Sequence, residues 1–77
     1  MKNVIVYGTE ACVYCKMVKD FFRENKIEYT EKDVYMDEEA RGEMTKLTGQ
    51  SGVPVVVIGD SVVIGFDKPK IKELLGL

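Results

Sequence analysis

Two cysteines separated by two residues, Cys12-Val13-Tyr14-Cys15, stand at the junction of a β-branched run and an amphipathic stretch, and they constrain this chain more than any other feature. The run Lys2-Asn3-Val4-Ile5-Val6-Tyr7 favours extended backbone and stops at Gly8-Thr9, which predicts a short buried strand. From Tyr14 the apolar positions Tyr14, Met17, Val18, Phe21 and Phe22 follow the i, i+3, i+4, i+7, i+8 stripe of a helix that starts near Cys12 and ends near Asn25. Cys12 therefore falls at a helix N-terminus, where unpaired N–H groups and the positive end of the dipole favour an anion. Cys15 lies one turn on, after a rise of about 4.5 Å, on the same side of the helix.

What such a pair can do is narrowed by what the chain lacks. Among its 77 residues there is no histidine, so a Ser-His-Asp triad, a Cys-His dyad and the usual histidine-bearing zinc sites are all excluded. A bridge across so short a loop would constrain the unfolded chain little, which disfavours a purely structural disulfide. Two cysteines can be half of a tetrahedral zinc site, but the chain offers no second pair, and no metal is expected. An inert buried pair also remains open. The reading favoured by position is a redox dithiol. A thiol at a helix N-terminus within Cys-x-x-Cys has its pKa lowered from about 8.5 into a range of about 3.5 to 7.5, and the thiolate is the nucleophile. Cys12 would attack a disulfide and Cys15 would resolve the mixed disulfide.

The rest of the chain supplies a frame of one small domain, residues 1–77, with a thin core: a chain of this size buries roughly 60% of the surface that its unfolded form exposes. Ile27 and Tyr29 alternate with polar residues as in a strand, and the pattern breaks at Lys32. Asp37 caps a second helix with Glu38 and Glu39 in its first turn, an apolar stripe of Ala40, Met44 and Leu47, and Gly49 at its end. Val55–Ile58 and Val62–Ile64 are strands joined around Gly59-Asp60, whose leading glycine suits a type II′ turn. Asp67 caps a terminal helix with Pro69 in its first turn and Ile71, Leu74 and Leu75 on its apolar edge. The order β-α-β-α-β-β-α requires a right-handed crossover between parallel strands and then an antiparallel hairpin, hence an α/β fold with a four-stranded mixed sheet and three helices.

The run Val4 to Lys16, then Gly52-Val53-Pro54, then Val63-Ile64-Gly65-Phe66-Asp67 together resemble a glutaredoxin-like redoxin of the thioredoxin fold, over essentially the whole chain. Among relatives the chain is most similar to small bacterial proteins of the NrdH-redoxin and YruB type. The resemblance implies a thiol–disulfide oxidoreductase in which Cys12 is the nucleophile, Cys15 resolves, and Tyr14 lines the substrate groove. It also implies that Pro54 is a cis-proline packed against the dithiol, that the Val53 backbone pairs with bound substrate, and that Gly65-Phe66-Asp67 closes the far side of the groove. From the residues alone, Pro54 reads as a proline at the head of a strand, without a cis bond.

Departures from the family's glutathione-using members bear on the electron source. Many of these have a lysine where this chain has Thr9, a basic residue near Gln50 or Ser51, and Gly-Gly where this chain has Gly65-Phe66. Losing two cationic anchors removes charge-assisted hydrogen bonds of about 1.5 to 3 kcal/mol each, which weakens glutathione binding by tens of fold. The Gly-Phe form resembles the redoxins re-reduced by thioredoxin reductase, so that partner is expected, with glutathione as co-substrate the alternative. A dimeric iron–sulfur cluster module built on Cys12 is a further one. Expected partners are disulfide-bearing proteins, with no nucleic acid and no membrane; a cytoplasmic monomer is expected. Positions 24 to 43 carry eight acids and three bases, whereas 1 to 23 sum to +2, so the dithiol region reads as mildly basic. Such an acidic run is a solvated face or a means of steering a partner.

Overall fold

The structure is a computed structural model that describes residues 3–77. Its elements are β1 (Val4–Gly8), α1 (Val13–Glu24), β2 (Thr30–Asp33), α2 (Glu38–Thr48), β3 (Val55–Ile58), β4 (Ser61–Ile64) and α3 (Lys68–Leu75). Lys2, where the sequence pattern begins the first strand, lies outside the described residues. The sheet order is β2-β1-β3-β4, with β1 parallel to β2 and β3 antiparallel to both of its neighbours. This is the mixed four-stranded sheet with three helices of the thioredoxin fold.

Period-two alternation along β1 divides the core into two layers. Val4 and Val6 point to one face, where they join Val18, Phe21 and Phe22 of α1, Val56, Ile58 and Val63 of the hairpin, and Ile71 of α3. Tyr7 points to the other face, beside Val34, Val55, and Ala40 and Met44 of α2. The Tyr7 hydroxyl donates to Glu43 at 3.2 Å and Lys32 donates to the same oxygen at 2.7 Å, tying α2 to both strands beneath it. Asp37 caps α2 by accepting from the Glu39 and Ala40 N–H groups, and Gly49 ends the helix at φ +71°, where a glycine costs nothing. The hairpin turn pairs Ile58 with Ser61 around Gly59 at φ +60°, as the type II′ reading requires.

Three local expectations need correction. The buried face of α1 is Cys15, Val18, Phe21 and Phe22, whereas Tyr14 and Met17 are exposed. Tyr14 belongs to the helix's opening turn, and the cysteine, not Met17, completes the stripe. Ile27 and Tyr29 are not in a strand: Ile27 donates to Phe22 O at 2.8 Å in the turn that ends α1, and both pack half-buried on the core. The strand is the next four residues, Thr-Glu-Lys-Asp, an edge strand whose backbone pairs with β1 while its side chains meet solvent, which removes the alternation that periodicity relies on. Leu47 shares a helix side with Ala40 and Met44 but lies in the last turn, half exposed.

Candidate redox site at the end of the central strand

The strand register assembles the site. Tyr7 lies opposite Val55, and Val55 opposite Ile64, so the next residues along, Gly8, Pro54 and Gly65, form a row across one end of the sheet that Asp33, opposite Gly8, continues. Gly65 N–H donates to Pro54 O at 2.8 Å and Val34 N–H to Gly8 O at 3.0 Å, closing that row. Above it the chain leaves β1, turns through the Cys12 N–H bond to Thr9 O, and enters α1.

Cys12 is the N-cap of α1, in extended conformation, and its Sγ accepts the Cys15 N–H at 3.1 Å. One of the orphan donors of the helix end therefore points at this sulfur, a position that favours negative charge. The two thiols are unequal. Cys12 is partly exposed, while Cys15 is 1% exposed beneath it. A Cβ added to Gly8 would lie 2.7 Å from Cys15 Sγ and 3.0 Å from Cys15 Cβ, so the glycine at the strand's end is what makes room for the second thiol. In the sequence, Gly8 reads only as a strand terminator. Its signal was available: a glycine closing a β-branched run just ahead of the cysteine pair.

Burial first, and then its hydrogen bond to Cys12, push the Cys15 thiol up to about 12 from an ordinary value of 9.0, against a backbone hydrogen bond from Thr9 and the Lys19 charge. The cation bearing on Cys15 is Lys19, whereas Lys16 is exposed. Because the folded-state pKa is raised, the contribution is fully present below about pH 9 and is lost as pH rises toward about 12, where the unfolded chain has already given up the proton. The dithiol protein should therefore lose stability as pH rises from about 9 toward 12, and the Cys12–Cys15 disulfide form should lack that slope. Matching urea midpoints for the two forms across this range would contradict it.

The Val53–Pro54 bond is cis and Pro54 is fully buried, as the resemblance implied and the residues alone did not. Val53 is half-buried beside it. Gly65 takes φ +82°, open to glycine. Phe66 is half-buried with its ring edge-on to Phe21 at 6.1 Å, so its ring joins the core. Asp67 accepts the Lys70 N–H and caps α3. Gln50, where glutathione-using relatives carry a basic group, brackets Gly52: its Oε1 accepts the Gly52 N–H at 2.6 Å and its Nε2 donates to Gly52 O. Among the described residues no three of His, Cys, Asp and Glu gather as a metal set, and no helix is long and apolar enough to cross a membrane.

The reading of a mildly basic dithiol region changes in three dimensions. Because β2 runs parallel to β1, the acidic turn after Asp33 leaves the sheet at the same end as the cysteines.

Comparison with known proteins agrees with this geometry. The glutaredoxin family model matches residues 4–63. A glutaredoxin-like 8.6 kDa protein of the rubredoxin operon of Clostridium pasteurianum is 36% identical over 70 residues, covering 91% of this chain and 93% of that protein. The crystal structure of the thioredoxin-like protein BC3987 superposes with a TM-score of 0.87 at 35% identity, over 94% of this chain and 99% of that one. The glutaredoxin of Archaeoglobus fulgidus gives 0.84 at 30%, over 97% and 87%.

Proposed function

The chain belongs to the glutaredoxin family of thiol–disulfide oxidoreductases, and on that premise we propose that it reduces protein disulfides through the Cys12–Cys15 dithiol and is itself re-reduced by a thioredoxin-reductase-type partner. The observation that carries this reading is the inequality of the two thiols, one reachable at a helix terminus and one sealed beneath it.

The Cys12 thiolate attacks one sulfur of the substrate disulfide. The other substrate sulfur leaves as a thiolate and takes a proton, and a mixed disulfide forms on Cys12. Cys15 stays protonated until then, since burial holds its proton, and so does not compete as nucleophile. Once Cys12 carries the substrate, Cys15 gives up its proton, attacks Cys12 Sγ, and expels the second substrate thiol. The sum is one substrate disulfide reduced to two thiols and one Cys12–Cys15 disulfide formed, with two electrons and two protons moved. Val53 and the buried Pro54 lie along the same sheet end, where an extended substrate segment could pair with the Val53 backbone. We read the protein as a cytoplasmic monomer.

The electron source follows from what stands at the anchoring positions. Thr9 is neutral, and Gln50 is committed to Gly52. A buckwheat glutaredoxin solved with glutathione shares the fold at a TM-score of 0.76 and 26% identity, and glutathione is the competing reductant. With insulin as substrate, NADPH consumption should require thioredoxin reductase, and glutathione with glutathione reductase should support it at least about tenfold less well. Equal support by glutathione would replace the reductant, and no turnover with either would remove the proposed activity.

A further inference from the structure

Four large apolar side chains stand out at the end of the sheet that carries Cys12: Val13 and Tyr14, in the first turn of α1, are 70% and 61% exposed, and Tyr35 and Met36, in the turn after β2, are each 76% exposed. The segments that carry them follow adjacent parallel strands at the same end of the sheet, with Gly8 opposite Asp33. The second turn is built to hold its shape: Asp33 Oδ1 accepts the Tyr35 and Met36 N–H groups at 2.9 and 3.2 Å, and Asp37 N–H returns to Asp33 O at 2.9 Å. Asp33 thus turns the backbone outward, and Tyr35 and Met36 are presented to solvent while the intervening Val34 is buried. Leaving two such side chains in water on a thin-cored chain forgoes burial that a partner could supply.

The charge around these side chains says what kind of partner. Positions 9–16 and 33–39 contain five acids, Glu10, Asp33, Asp37, Glu38 and Glu39, and one base, Lys16, a net of −4. Lys32, on the flank, is occupied by Glu43, and Arg41, further along α2, makes an exposed pair with Glu38 at 3.4 Å that leaves Glu39 unengaged among the salt bridges of the described residues. Exposed apolar side chains set in negative charge, at the sheet end that carries a redox thiol, complement a basic, apolar surface and repel an anion such as glutathione. Resting on the oxidoreductase reading, we infer that the first turn of α1, with Val13 and Tyr14, and the Tyr35-Met36 turn form one docking ledge for a protein whose disulfide is flanked by basic and apolar residues. Tyr35 and Met36 supply contact area, and Glu38 and Glu39 supply the attraction.

Two matched peptides test this, each closed by one disulfide and flanked by lysines in one and glutamates in the other, with hydroxyethyl disulfide as a small neutral reference. The lysine peptide should be reduced with a kcat/KM at least about fivefold higher, a preference that shrinks in 0.5 M salt and in the Glu38→Gln, Glu39→Gln double variant. The Tyr35→Ser, Met36→Ser double variant should lower kcat/KM for the lysine peptide about tenfold relative to the small disulfide. Equal rates for the two peptides, a preference for glutamate, or a lysine preference that survives both double variants would overturn the ledge. If neither the peptides nor hydroxyethyl disulfide is reduced, the oxidoreductase reading itself fails, and the two failures are told apart.

Discussion

Cys12→Ser is expected to abolish disulfide reduction while leaving the fold as stable as before or slightly more so. Serine is among the best N-cap residues, and its hydroxyl can accept the Cys15 N–H that Cys12 Sγ now accepts at 3.1 Å, so the helix start survives the exchange. What is lost is the nucleophile, because a hydroxyl in this position is not ionised and Cys15 is sealed 1% exposed below it. Turnover of insulin should fall to the uncatalysed rate with a urea midpoint that is unchanged or slightly raised. Cys15→Ser should behave differently: the first attack proceeds, and the substrate stays attached to Cys12 as a mixed disulfide visible by mass under non-reducing conditions. Retained turnover in the Cys12 variant would contradict the assignment of roles. So would trapping on Cys15 instead.

The order of elements was legible because all but the edge strand rest on a local signal. Asp37 and Asp67 cap their helices through side chains that the sequence names, and Gly49 and Gly59 adopt the positive φ that their neighbours' patterns call for. The edge strand starts three residues beyond the start of the Ile27–Tyr29 alternation, because Thr-Glu-Lys-Asp has no buried face for periodicity to detect and its place is decided by backbone pairing with β1. Tyr14 and Met17 mimic core residues in spacing, yet the end of the sheet takes Cys15 instead.

The candidate site was legible in its chemistry and illegible in its surroundings. Cys12 and Cys15 announce themselves, but the row Asp33, Gly8, Pro54 and Gly65 joins residues far apart in the chain, and only strand register brings them together. The same register carries the acidic turn to the dithiol's side. A tally of charge along the chain kept the two apart, which is why the region first read as basic.

Gly8→Ala ties stability and chemistry to one atom. The added Cβ would sit 2.7 Å from Cys15 Sγ and 3.0 Å from its Cβ, distances at which something must move. The neighbour is not the end of a long flexible side chain. Cys15 is short, fully packed and held on α1, and Gly8 is fixed by its pairing with Asp33 and by the Val34 N–H. Overpacking of this kind costs about 1 to 3 kcal/mol, a large part of the few to about twelve kcal/mol that a chain of this length commands. The melting temperature should drop by about 4 to 20 °C. If the strain is relieved by pushing Cys15 outward, its attack on the mixed disulfide is misaligned and slowed, so the variant should accumulate substrate adducts on Cys12 that the parent clears. Combining Gly8→Ala with Cys15→Ala removes the sulfur from the clash and leaves only the 3.0 Å contact with Cβ, so most of the lost stability should return. A Gly8→Ala penalty that is the same with and without the Cys15 sulfur would show that the glycine serves the strand alone.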